Sequence, residues 1–239
     1  MRVDILSVGF DNITKKTAVK MALDVIDSGE KTYIVTPNPE IVWLTRGNTE
    51  LLKALRGAGL VLADGVGITI AAKILKTPLK ERIPGIDFAA VLFEELSARG
   101  GSVYLFGAKP GVAEVAGNNL LIKYPGLKIS GVSDGYFTDS EPIKDKINKA
   151  RPDVLLCCLG APKQELWMAE NINALDVKLC LGLGGSLDVY AGVVKRAPKF
   201  FQRAGLEWFY RLIKEPRRIK RMIKLPLFLL TVPFSKKRR

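Results

Sequence analysis

Short apolar runs recur along the chain at VDILSV (3–8), TYIVT (32–36), LVLAD (60–64), SVYLFG (102–107), LKISGV (127–132), DVLLCCLG (153–160) and KLCLGLG (178–184), most of them separated by helix-length segments. Runs that are apolar at nearly every position belong to strands buried on both faces, and strand–helix alternation is the mark of right-handed crossovers between parallel strands. The expected fold class is therefore α/β, a Rossmann-like and mostly parallel sheet with helices on both faces. Several runs close on Gly, Asp or Asn-Pro, which places their loops at the carboxyl edge of the sheet, where open α/β folds hold ligands.

The 239 residues suffice for one large domain, and no repeat or linker interrupts the pattern before about residue 195. Residues 1–195 read as the catalytic body and 196–239 as a basic, amphipathic helical appendage. Fourteen Lys/Arg against Glu207 and Glu215 put nearly all of the net charge of +13 into that appendage. Such asymmetry calls for an anionic partner. The apolar run LPLFLLTVPF (225–234) beside it favours a membrane surface over nucleic acid, and Arg217, Arg218, Arg221 and Lys224 are the expected membrane-facing cations. Crossing a bilayer takes about 20 apolar residues, so this run can dip in without spanning. In the helix that precedes it, Trp208, Leu212 and Ile213 are expected on one side. No leader pattern opens the sequence, and the expectation is a cytoplasmic protein lying on the inner face of the cell membrane. Cys157, Cys158 and Cys180 fall inside strand-like runs without metal-ligand spacing and read as buried thiols.

The chain has no histidine. A general base must then be Asp or Glu before any other residue type. Asp64 ends an apolar run and precedes Gly65 and Gly67; it is either the cap of the next helix or a carboxylate at the sheet edge placed to take a proton. Thr36 and Asn38 stand at the end of another run before Pro39, with Asn38 either a cap or a ligand contact. Two Gly-rich loops, around Gly107 and Gly111 and around Gly185 to Asp188, could bring backbone amides to a diphosphate. Neither carries the dinucleotide GxGxxG spacing or a Walker lysine, which argues against NAD and ATP. Lys163, Gln164 and Glu165 open a helix and read first as a solvated turn. No D-x-D occurs, so no paired acids for a divalent metal are expected, and cationic side chains would meet the charge of a leaving phosphate. No cofactor is expected.

The ordered set TPNPE, ADGVGI, ERIPGID, FGAKPG, DGYF, LGAPKQELW, GGSLDVYAG, KRAP and EWFYRLIKEPRR resembles the WecG/TagA/CpsF family of bacterial glycosyltransferases, glycosyltransferase family 26, over about residues 5 to 222. Its last motif looks most like the TagA branch, which works on the linkage unit of wall teichoic acid. The resemblance implies inverting, metal-independent transfer of N-acetylmannosamine from a UDP donor to the 4-hydroxyl of N-acetylglucosamine on undecaprenyl diphosphate. It implies Asp64 as base, Thr36, Asn38, Arg82 and Gln164 as sugar and acceptor contacts, Tyr136, Gly107, Gly185 and Asp188 around the uridine and diphosphate, and Arg211 at the leaving group. Val193 departs from the pattern, where a lysine is expected. Alternatives from the sequence are the same fold with another donor, such as UDP-N-acetylmannosaminuronic acid or UDP-glucose, a basic nucleic-acid-binding protein, and a plain dehydrogenase. A homo-oligomer through the apolar faces of the appendage is also open.

Overall fold

The computed structural model describes residues 1–216, 219 and 223–238. Six parallel strands form the sheet, in the order β4–β3–β8–β7–β5–β6. They are β3 (Thr32–Val35), β4 (Leu60–Val61), β5 (Ser102–Gly107), β6 (Lys128–Ser133), β7 (Val154–Cys158) and β8 (Leu179–Gly182). The expected α/β fold is the one observed.

Alternate side chains point to opposite faces of a strand, so a run that is apolar throughout feeds two cores at once. Tyr33, Val35, Phe106, Leu155, Cys157 and Cys180 pack on one face, and Ile34, Leu105, Leu156, Cys158, Leu179 and Leu181 on the other. The second face is covered by α1 (Lys15–Ser28), α5 (Gly85–Arg99) and α6 (Val112–Lys123), and the first by α2 (Pro39–Leu44), α3 (Thr49–Gly57), α4 (Val66–Ile74), α7 (Glu141–Ala150) and α8 (Lys163–Asn171). All three cysteines are buried free thiols, as their setting in strands implied. Burial pushes the Cys158 thiol up to about 12.

The first apolar run does not enter this sheet. It folds instead into an antiparallel hairpin, β1 (Arg2–Ile5) with β2 (Val8–Asp11), in which Ile5 pairs with Val8 across Leu6 and Ser7, both at positive φ. Val3, Ile5, Val8 and Phe10 add to the core on the first face. The Asp11 carboxylate ties the hairpin to the sheet edge by accepting from the Val61 N–H at 2.9 Å.

After β8 come a short helix α9 (Ser186–Tyr190), then α10 (Lys199–Arg203), α11 (Glu207–Lys214) and α12 (Lys224–Thr231). The greasy run beyond Lys224 is split in use. Phe228 and Val232 are fully buried in the core beside Ile41, Val42 and Ile68, while Leu227, Leu230 and Phe234 face outward. On α11 the outward apolar stripe is Leu206, Phe209 and Ile213, whereas Trp208 turns toward the body and Leu212 is half-buried. The expected grouping of Trp208 with Ile213 does not hold, because five residues turn a helix by well over a right angle. No helix among the described residues is long and apolar enough to cross a membrane. Lys224 opens α12 and is half-buried. Arg217, Arg218 and Arg221 lie outside the described residues.

Candidate active site

Four adjacent strand ends and one helix build a cleft of about 390 Å³, a size suited to a small polar ligand. Thr36 and Asn38 follow β3, Asp64 follows β4, Gly160 and Gln164 follow β7, and Gly184, Gly185 and Asp188 follow β8. Arg82 comes from the loop before α5, and Glu207, Trp208 and Arg211 close the cleft from α11. Residues spread from 36 to 211 meet because parallel strands all present their carboxyl ends on one edge.

Asp64 does not cap α4. That helix begins at Gly65 without a side-chain cap, and the Asp64 carboxylate instead accepts from the Gly85 N–H at 3.4 Å, at the start of α5. Its residue surface is only partly covered, yet the carboxyl is walled by protein, and burial raises its pKa above the ordinary carboxylate value. The Arg82 guanidinium, the Gly85 N–H and Arg211 work against that rise, and Glu207 adds to it. Desolvation outweighs the cations, which leaves a carboxylate more basic than one in water.

The neighbouring polar groups are held from behind. Thr36 is buried and its hydroxyl donates to the Gly182 carbonyl at 3.1 Å. Asn38 caps α2, accepting from the Ile41 N–H at 3.1 Å, and still borders the cleft, so its two readings are compatible. Lys163 is exposed, but Gln164 and Glu165 are buried, so the solvated helix start expected from sequence is corrected. Gln164 Oε1 accepts from the Gly184 N–H at 2.8 Å while its Nε2 donates to Glu165 at 2.8 Å, which fixes the β8 loop to the β7 loop. Burial raises the Glu165 pKa, against the Gln164 hydrogen bond, and one of its oxygens has no hydrogen-bond partner among the described residues.

Gly107 and Tyr136 stand apart from the cleft lining. Gly107 ends β5 and Tyr136 follows β6, the outer strands on the far side of β7. A Cβ on Gly107 would come within 2.3 Å of the Cys158 carbonyl oxygen, and its φ is +133°, so strand packing alone demands glycine here. The Tyr136 ring is exposed. Arg211 borders the cleft with its side chain largely in solvent, and Asp188 lies beside Gly185. Sequence reasoning assigned no role to Glu207, Trp208, Arg196 or Glu165. The first three belong to the EWFYRL and KRAP motifs, whose charged residues were the available signal. Among the described residues, no group of three or more Cys, Asp or Glu is placed to hold a metal ion.

A family model described as the glycosyl transferase WecG/TagA/CpsF family matches residues 3–239. The chain belongs to this glycosyltransferase family. A Bacillus spizizenii protein is 36% identical over 207 residues, covering 87% of this chain and 80% of its own. A Bacillus subtilis protein is also 36% identical, covering 87% and 81%. A Staphylococcus aureus protein is 34% identical over 239 residues, covering 99% of this chain and 94% of its own. All three bear the name N-acetylglucosaminyldiphosphoundecaprenol N-acetyl-beta-D-mannosaminyltransferase. In this cleft a carboxylate whose pKa is raised by burial lies together with the guanidinium groups of Arg82 and Arg211.

Proposed function

We propose that this glycosyltransferase moves N-acetylmannosamine from UDP-N-acetylmannosamine to the 4-hydroxyl of N-acetylglucosamine carried on undecaprenyl diphosphate, inverting the anomeric centre to give a β-1,4 bond. The observation that carries the reading is Asp64, a desolvated carboxylate at the strand edge that shares one cleft with Arg82 and Arg211. The relatives' names supply the acceptor and the sugar.

An alcohol is a poor nucleophile at neutral pH, and a base within hydrogen-bond reach contributes about 10²–10⁴-fold. Asp64 takes the proton of the acceptor hydroxyl as its oxygen bonds to the anomeric carbon. The bond from that carbon to the UDP oxygen breaks on the opposite side, and UDP leaves with the electron pair. Arg211 meets the negative charge growing on the diphosphate, the part a metal plays in other sugar-nucleotide transferases. Thr36, Asn38 and Gln164 orient the sugars, and the amides around Gly185 approach the diphosphate. Gly107 and Tyr136 would bear on the uridine only from outside the cleft lining.

The lipid acceptor brings the enzyme to a membrane surface. The outward stripe of Leu206, Phe209 and Ile213 beside the basic appendage is an amphipathic face suited to an anionic interface. The reading is tested by UDP release from a panel of UDP sugars, with and without a lipid-linked N-acetylglucosamine acceptor. Acceptor-dependent release is expected with UDP-N-acetylmannosamine; stronger turnover of the uronic acid or of UDP-glucose would reassign the donor.

A further inference from the structure

Glu207, the first residue of α11, stands between two arginines contributed by other segments. Its Oε1 accepts from Arg82 Nη2 at 2.6 Å, and its Oε2 lies 3.7 Å from Arg196 Nε. Arg196 in turn forks onto Asp87, with Nη1 at 2.5 Å and Nη2 at 2.9 Å from the two carboxylate oxygens. Asp87 sits in the first turn of α5, the helix whose Gly85 N–H reaches Asp64. The chain of charges Asp87, Arg196, Glu207, Arg82 thus arrives at Asp64 from both ends, through a guanidinium on one side and a backbone amide on the other.

The side chains of Arg82 and Glu207 are only 21% and 17% exposed, so the pair is poorly screened by water. Among the described residues, no acceptor lies within hydrogen-bond distance of the buried Nε atom of either arginine. Two guanidinium groups this close need the carboxylate between them, and the carboxylate arrives only with α11. The approach is tight: at Gly205, whose φ is +70°, a Cβ would stand 3.0 Å from the Val66 side chain, two residues beyond Asp64.

We propose that Glu207 is a positioning residue that holds Arg82 beside Asp64. The inference rests on Asp64 being the base. The charged groups facing Asp64 are Arg82, Glu207 and Arg211, and of these Glu207 alone raises its pKa. Arg82 lowers the Asp64 pKa more than Glu207 raises it, so a variant that lets Arg82 leave Asp64 raises that pKa and keeps the base protonated to higher pH.

The test compares full-length wild type, Glu207→Gln, Glu207→Asp and Asp64→Asn in the lipid-linked acceptor assay across pH, with melting temperatures alongside. Glu207→Gln should lower kcat about ten-fold and move the acidic limb of kcat/KM to higher pH, because Arg82 leaves Asp64 and that limb reports the free enzyme's base. Glu207→Asp keeps the charge and should fall between Glu207→Gln and wild type in both respects. A merely structural Glu207 would lower the rate and leave the limb where it was. An unmoved limb in Glu207→Gln, or a Glu207→Asp variant no better than the amide, overturns the inference while an inactive Asp64→Asn preserves the proposed function. Full turnover by Asp64→Asn removes both.

Discussion

The two walls of the cleft are made by different means. On the sheet wall Thr36, Asn38 and Gln164 each have a side-chain hydrogen bond to backbone of the same scaffold, and they sit on or beside strands whose side chains are almost wholly buried. On the opposite wall Trp208 and Arg211 stand on an eight-residue helix with no buried residue of its own, held by the Arg82–Glu207 ion pair and by the packing around it. The sheet wall is anchored in the strand scaffold, and the helical wall hangs on one short helix; under the proposed function the first sets binding geometry and the second charge stabilisation.

The comparison predicts which substitutions act where. Asp64→Asn should cost about 10²–10⁴-fold in turnover, with the melting temperature unchanged or higher because a desolvated charge has been removed. In the wild type the raised pKa of Asp64 means that activity is lost on acidification at a pH above the ordinary carboxylate range, as protonation removes the base. Next in size is Phe228→Ala, expected to destabilise by about 3–5 kcal/mol in chemical denaturation, since the ring is fully buried in the core of the body. A much smaller loss would mean that α12 is a loose attachment and that the two walls are more alike than described. Arg211→Ala should lower kcat by about 10²-fold with little change in stability or in the donor KM. Should it instead raise KM alone, Arg211 binds ground state and transition state equally, and the helical wall belongs to binding as much as the sheet wall does.

The sheet was legible because its central strands are apolar at nearly every position, and the structure shows both faces of β3, β5, β7 and β8 in use, while β6 has no buried residue. The strand-edge positions of Thr36, Asp64, Gly185 and Asp188 were legible for the same reason, since a strand end fixes where its loop must be. The hairpin was not, because Leu6 and Ser7 make a two-residue turn without the Asn-Gly or Asp-Gly signal that such turns usually carry. Buried Gln164 and Glu165 were hidden because polar residues at a helix start ordinarily face water. Phe228 and Val232 were hidden by their neighbours: an apolar run flanked by cations reads as a surface anchor, and only packing shows that half of it seals a core. Arg82 and Glu207 lie 125 residues apart, a pairing that no local pattern records.

The position of β8 has a consequence for the order in which the molecule assembles. β3 and β4 are neighbours in sequence and in space, and so are β5, β6 and β7, but the two groups touch only through β8, which pairs with β3 at Leu179–Thr32 and with β7 at Leu179–Val154. Closing the β3–β8 pair encloses most of the chain in a single loop, the kind of long-range contact that slows folding. Each half-sheet can gather early, yet the cleft draws its lining from both and cannot exist before the central strand arrives. Pulse-labelled hydrogen exchange should find the amides shared by β3 and β8 protected last, with catalytic competence appearing in step with them.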